Sequence, residues 1–217
     1  MKANIAVATV SGKAYYLIVS KLKERNISFL SLTPSEPIPV ETKAVITTER
    51  EKHLINHERV LVYRDGEEPE AVINEALQII QGKEFYEKIA IGIDPGDVFG
   101  LAVLADGKVI ETANCFSVRE TLGRIERILL SLQATPTGFT LVKVGDGVPK
   151  RKEELLQSLD KLLPSHIVLE SVSEKGTNSF LGKTKHRRGL RDIASAIKIA
   201  GRSGQKYVRR KTHGENS

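Results

Sequence analysis

Apolar positions along this chain recur at two periods, and the switches between them mark strands and helices. Asn4–Val10 (NIAVATV) is a short apolar run closed by Ser11-Gly12, and Lys13–Arg25 after it has helical spacing. Ile27–Leu32, Ala44–Thr47 and Arg59–Tyr63 read as further strands, with Pro34, Pro37 and Pro39 marking a loop between the first two. Over Glu68–Gln81, the residues Ala71, Val72, Ala76, Leu77 and Ile80 fall on one helical face. Strands alternating with helices predict a small parallel α/β domain, which Gln81-Gly82-Lys83-Glu84 should end.

The pattern then changes. Lys88–Asp94 (KIAIGID) reads as a buried strand closed by Pro95-Gly96, and Val98–Leu104 and Lys108–Ala113 as strands joined by the turn Ala105-Asp106-Gly107. Val118–Leu132 carries Leu122, Ile125, Ile128, Leu129 and Leu132 on one face, so it should be an amphipathic helix. Thr140–Val144 is a strand ending at Gly145-Asp146-Gly147, Lys150–Leu163 a helix, and His166–Leu169 a strand leading into Glu170. Leu190–Ala200 is the last helix, giving the order βββαβαβα. The expected domains are 1–84, 85–205 and a basic tail over 206–217.

Composition sets bounds on this picture. A length of 217 residues with 40% hydrophobic content suits one or two folded domains. The single cysteine, Cys115, excludes an internal disulfide framework and suits a reducing compartment. No run of about 18 apolar residues is present, which excludes a membrane-spanning helix and a membrane partner. The first 26 residues lack the pattern of a secretory signal, so the expected location is cytoplasmic. The formal charge of +6 is unevenly placed. Between Lys183 and Lys211 there are 11 basic residues and one acid, Asp192; subtraction from 33 and 27 leaves 22 bases and 26 acids elsewhere. Such a block is either a solvated tail or a footprint for phosphates, as in DNA or RNA.

The acids carry the strongest local signal. Asp94 closes one apolar run, Asp146 another and Glu170 a third, so three strands are expected to deliver carboxylates to one sheet edge, where open α/β sheets place their sites. Asp192 stands on the expected first turn of the last helix, among Arg187, Arg188 and Arg191. Acids gathered without matching lysines repel one another, and a hard divalent cation with oxygen ligands relieves this. Each acid also has a plainer role as a turn residue, a strand-end acid or a helix cap; Asp97 and Asp106 read as turn residues. In the N-terminal domain, Ser11-Gly12-Lys13 reads as a capped helix start, and His53 and His57 as solvated side chains.

Ile91-Gly92-Ile93-Asp94-Pro95-Gly96, followed by Gly100-Leu101-Ala102-Val103, resembles the first hairpin of RuvC-type Holliday junction resolvases, of the RNase H-like nuclease superfamily. The resemblance spans about residues 87–202 and implies an RNase H-like domain. It implies that Asp94, Asp146 and Asp192 hold two Mg²⁺ (or Mn²⁺) ions for phosphodiester hydrolysis, and it places the chain in DNA repair or recombination, at the nucleoid if DNA is cut. Asp192-Ile193-Ala194-Ser195-Ala196-Ile197 matches the family's last helix except that Ser195 replaces a second Asp; Glu170 has no firm counterpart there. Lys175, Lys183, Lys185, Arg187, Arg188 and Arg191 would hold the nucleic-acid backbone. A four-way junction would call for a homodimer. Residues 1–84 lie outside the resemblance, and a protein-partner-binding role is their expectation. Two other readings stand beside the nuclease: a nucleic-acid-binding module with a degenerate site, and an actin-like ATPase or phosphotransferase remnant.

Overall fold

The computed structural model describes residues 3–133, 137–173 and 188–209, with the Arg188 side chain outside the description. Contacts divide the chain into two units: Met1–Tyr86 with Arg127–Pro136, and Glu87–Glu126 with Thr137–Ser217. Among the described residues, no helix is long and apolar enough to cross a membrane.

Unit 1 has a parallel sheet built from β1 (Ile5–Ala8), β2 (Phe29–Leu32), β3 (Ala44–Thr48) and β4 (Val60–Tyr63), in the order β2-β1-β3-β4. Alternation along β1 sends Ile5 and Val7 to one face and Ala6 and Ala8 to the other. The first face packs on α1 (Gly12–Glu24) through Ala14, Ile18 and Leu22, and on α2 (Pro69–Ile80) through Val72, Ile73 and Ala76. Ser11 caps α1 by accepting from the Ala14 amide at 3.4 Å, and Pro69 occupies the first turn of α2, where its missing N–H costs nothing. The expected small parallel α/β domain is present.

Unit 2 has a mixed sheet. β5 (Tyr86–Pro95), β6 (Phe99–Ala105) and β7 (Lys108–Cys115) form an antiparallel meander. Asp106 and Gly107 have φ of 47° and 80°, the pair of positive values that a two-residue type I′ hairpin turn requires. After α3 (Val118–Leu132) come β8 (Thr137–Gly145), α4 (Pro149–Leu162), β9 (Val168–Val172), α5 (Arg188–Gly201) and β10 (Gln205–Lys206). The strand order is β10-β9-β8-β5-β6-β7, with β8 and β9 parallel. A β-carbon added at Gly138 would lie 2.6 Å from the Glu87 carbonyl, so β8 starts beside the start of β5.

Two glycines seat α5 on this sheet. A β-carbon at Gly92 of β5 would strike the Ala196 carbonyl, and one at Gly100 of β6 would strike the Asp192 carbonyl. Their absence lets helix backbone lie directly on strand backbone, with Ala90, Ala102, Ala196 and Ala200 filling the small space left. The sequence expectation differs from the structure at three places. Strand β9 runs on to Val172, so Glu170 is inside it rather than beyond its end. Helix α5 begins at Arg188, which puts Asp192 in its second turn. The chain end is held as far as Arg209, so the boundary expected at 206 falls within β10.

Candidate functional site

The register of unit 2 brings two of the expected acids to one place. Asp94, next to last in β5, pairs with Gly100, and Gly100 is the residue on which the Asp192 backbone rests. Asp94 stands two residues beyond Gly92 and so points to the sheet face that α5 covers. Asp146 follows the last residue of β8. From Gly138 beside Glu87, seven residues lead to Gly145 (138 to 145) and seven to Asp94 (87 to 94), so Asp146 leaves the sheet at the level of Asp94. All three side chains are partly buried. Among the described residues, no three His, Cys, Asp or Glu side chains converge on one metal position. The three acids carry oxygen donors of the type a hard cation takes.

Glu170 is used elsewhere. It pairs in register with Lys143, which is two residues short of the end of β8, and the Lys143 Nζ lies 3.5 Å from Glu170 Oε2. The Lys143 ammonium is almost fully buried and also donates to the Arg202 carbonyl just past α5, where the helix dipole favours a cation. Burial pushes its pKa down and the Glu170 charge only partly restores it. The pair is thus a structural tie beneath α5, and it takes Glu170 out of the carboxylate edge.

Arg151 was not singled out by sequence pattern. From the first turn of α4 it donates to the Gly96 carbonyl, pairs with Asp97 Oδ1 at 3.2 Å and lies 5.8 Å from the Phe99 ring centroid. Asp97 is a turn residue as expected, and Asp106 likewise, its Oδ1 accepting from the Lys88 amide at 2.9 Å. Arg151 follows the Gly-Asp-Gly turn by four residues, and its guanidinium ties the start of α4 to the turn after Asp94. Of the expected nucleic-acid contacts, Lys175, Lys183, Lys185 and Arg187 lie outside the described residues; Arg191 is described, half-buried on α5.

Unit 1 has a cavity of about 560 Å³ at the carboxyl ends of its strands, within the usual range for small-molecule pockets. Ser11, Thr48, Glu51, Tyr63 and Arg64 are among its lining residues. It sits where β1 is followed on one side by β2 and on the other by β3, the reversal point of a doubly wound sheet. Glu51 closes the floor: its carboxylate accepts from Thr9 Oγ1 at 2.6 Å, the Val10 amide at 2.7 Å and Thr48 Oγ1 at 2.5 Å. His57 Nδ1 accepts from the Arg59 amide at 3.1 Å and its Nε2 lies 3.1 Å from the Thr42 carbonyl, and among the described residues no metal cluster includes it or His53.

Comparison with known proteins corrects the family expected from the sequence. Residues 4–80 match the model of a family described as a response regulator receiver-like domain. What matches is thus a receiver-like model over residues 4–80 and not a nuclease model, and the resemblance to RuvC-type resolvases over 87–202 is set aside. The motif behind it, Gly-x-Asp followed by Gly100, is explained in part by packing, since both Gly92 and Gly100 are seats for α5. No curated protein matches the chain. The parallel sheet of unit 1, with its order β2-β1-β3-β4, fits a small receiver-like α/β domain.

Proposed function

We propose that unit 2 hydrolyses phosphodiester bonds in a structured nucleic acid, with a divalent ion held by Asp94, Asp146 and Asp192. The observation that carries this reading is the seating of Asp192 on Gly100, the register partner of Asp94. The backbones that carry a helix acid and a strand acid, far apart in sequence, come together there, near the edge that also receives Asp146. As a statement about fold alone, an RNase H-like arrangement of βββαβαβα over a mixed sheet belongs to the same proposal.

The chain's own residues have defined tasks in it. Asp94 from the sheet and Asp192 from the helix would grip a cation from two sides, and Asp146 would close a third. Arg151 holds the turn after Asp94 against the start of α4 and would bring positive charge toward a phosphate. Arg191, with Arg188, Lys175, Lys183, Lys185 and Arg187, would hold the DNA or RNA backbone by charge. One or two Mg²⁺ or Mn²⁺ ions, when bound, supply Lewis acidity and an activated water. The receiver-like unit 1 is proposed to bind a protein partner, and a homodimer is required only if the substrate is a symmetric junction.

The test is a panel of labelled junctions, flaps, hybrids and single strands incubated with Mn²⁺. Asp94→Asn should abolish cleavage and leave binding equal or tighter. Absence of cleavage by the wild-type chain on every substrate defeats the proposal. Ser195, and the lack of a preformed three-ligand cluster among the described residues, favour one other reading, nucleic-acid binding without hydrolysis. That reading expects salt-sensitive binding that Asp94→Asn leaves unchanged.

A further inference from the structure

We infer that Phe116 is a stacking platform for an unpaired nucleobase, placed beside the carboxylate edge of unit 2. The inference rests on the reading above that this edge receives nucleic acid. Pro95 pairs with Phe99 and Phe99 with Cys115, so the last residues of β5 and β7 are level. Two antiparallel pairings give β7 the direction of β5, and Phe116 therefore leaves the sheet at the edge where Asp94 stands. Two interstrand spacings separate the strands, about 10 Å.

The Phe116 ring is 71% exposed on a backbone that is firmly held. Its amide donates to Glu120 Oε2 at 2.8 Å, while Ser117 Oγ accepts from the Glu120 amide at 3.1 Å. An apolar residue before such a cap usually packs against the fourth residue of the helix. Here that residue is Thr121, fully buried with its hydroxyl bonded to the Ser117 carbonyl at 2.9 Å. The ring thus has no staple partner in its own helix and is presented outward. Across the same face, Gly189 of α5 abuts the Asn114 amide, and Asn114 pairs with Gly100. The next residue, Leu190, is 68% exposed.

Charge chooses the occupant. Arg119, exposed on the first turn of α3, and Arg191, half-buried on α5, stand within three residues of Phe116 and next to Leu190 in the chain. An aromatic face among cations suits a base with its phosphate, because every base has a π-face and the backbone meets the arginines. A protein partner would ask for a wider apolar patch than one ring and one leucine.

The chain has no tryptophan, so Phe116→Trp creates a single indole reporter. The full-length variant is titrated, in EDTA, with short oligo-dT and oligo-U, with a duplex and with an abasic strand. Single strands with bases should quench the indole, and duplex and abasic strands should not. Phe116→Ala should weaken single-strand binding about tenfold, whereas Tyr16→Ala, an equally exposed aromatic in unit 1, should change nothing. No quenching, unchanged affinity of Phe116→Ala, or no binding of single strands overturns the inference. The EDTA titration reads stacking apart from hydrolysis, so quenching there with no cleavage in the separate Mn²⁺ panel would defeat the hydrolysis reading alone. Cleavage by a wild-type chain whose Phe116 variants bind normally would defeat the stacking site alone.

Discussion

At the scale of single residues, Glu51 shows how a buried carboxylate is kept charged. Burial alone would raise its pKa, but the hydroxyls of Thr48 and Thr9 and the Val10 amide outweigh it and hold the carboxyl below its ordinary value. A carboxyl lowered in the folded state stabilises the protein above its unfolded value, about 4.3, and loses that contribution as pH falls through the folded value. Glu51→Ala should therefore cost about 2 kcal/mol at neutral pH, and the gap from wild type should shrink under acid conditions. Urea unfolding at a series of pH values measures both. No local pattern announces this network, because Thr9 and Glu51 meet only through the pairing of β1 with β3. Asp94 and Asp146 were legible for the opposite reason: each directly ends or follows an apolar run, and the run itself says where the strand stops. Glu170 looked the same in sequence. Its true partner, Lys143, sits on a neighbouring strand, and a lysine inside an apolar run was the one available sign.

Among elements, the helices and strands were readable almost throughout, because each is long enough to show its period. The two-residue strand β10 was not, and neither was the continuation of β9 through Glu170-Ser171-Val172, where polar residues break the apolar run. The seat of α5 was hidden for a different reason. Gly92 and Gly100 read locally as parts of a turn motif, while their cause is a helix roughly a hundred residues later. Gly100→Ala should force α5 away from the sheet, lower stability by about 2–3 kcal/mol and displace Asp192 from Asp94. Gly123→Ala is the counterpart. That glycine is inside α3 with nothing within 4 Å of an added β-carbon, so alanine should stabilise by about 0.5–1 kcal/mol. Thermal melts of the two variants should move in opposite directions.

For the whole molecule, contacts divide the chain into two units whose bounds differ from the expected domains, and the assignment of 127–136 to unit 1 has no sign in the sequence. Residues 127–136 group with unit 1 although the chain has already entered unit 2, and Asn74 Nδ2 bonds Ser131 Oγ at 3.2 Å within that unit. A periodic helix such as α3 gives no local hint that its two halves serve different cores. Cutting at Glu84 therefore removes most of unit 1 from its returning piece. A fragment of residues 85–217 should expose Ile128 and Leu132, both buried in the full chain, and bind a hydrophobic dye more strongly than the intact protein. Equal dye binding by fragment and full chain would show that α3 completes unit 2 alone.

Arg209 divides what the sequence presents as one block of positive charge. Its guanidinium pairs with Asp160 at 2.9 Å and donates to the carbonyls of Asp160, Leu163 and Pro164, where α4 ends, on the side of the sheet where β9 begins. Arg209 thus stands at the pole of unit 2 opposite Asp94, and its charge is neutralised at the end of α4. A ligand of the carboxylate edge would not meet it. What reads in sequence as one basic block therefore holds at least one cation that fastens the strand end to a helix end and adds nothing to the field at the carboxylates.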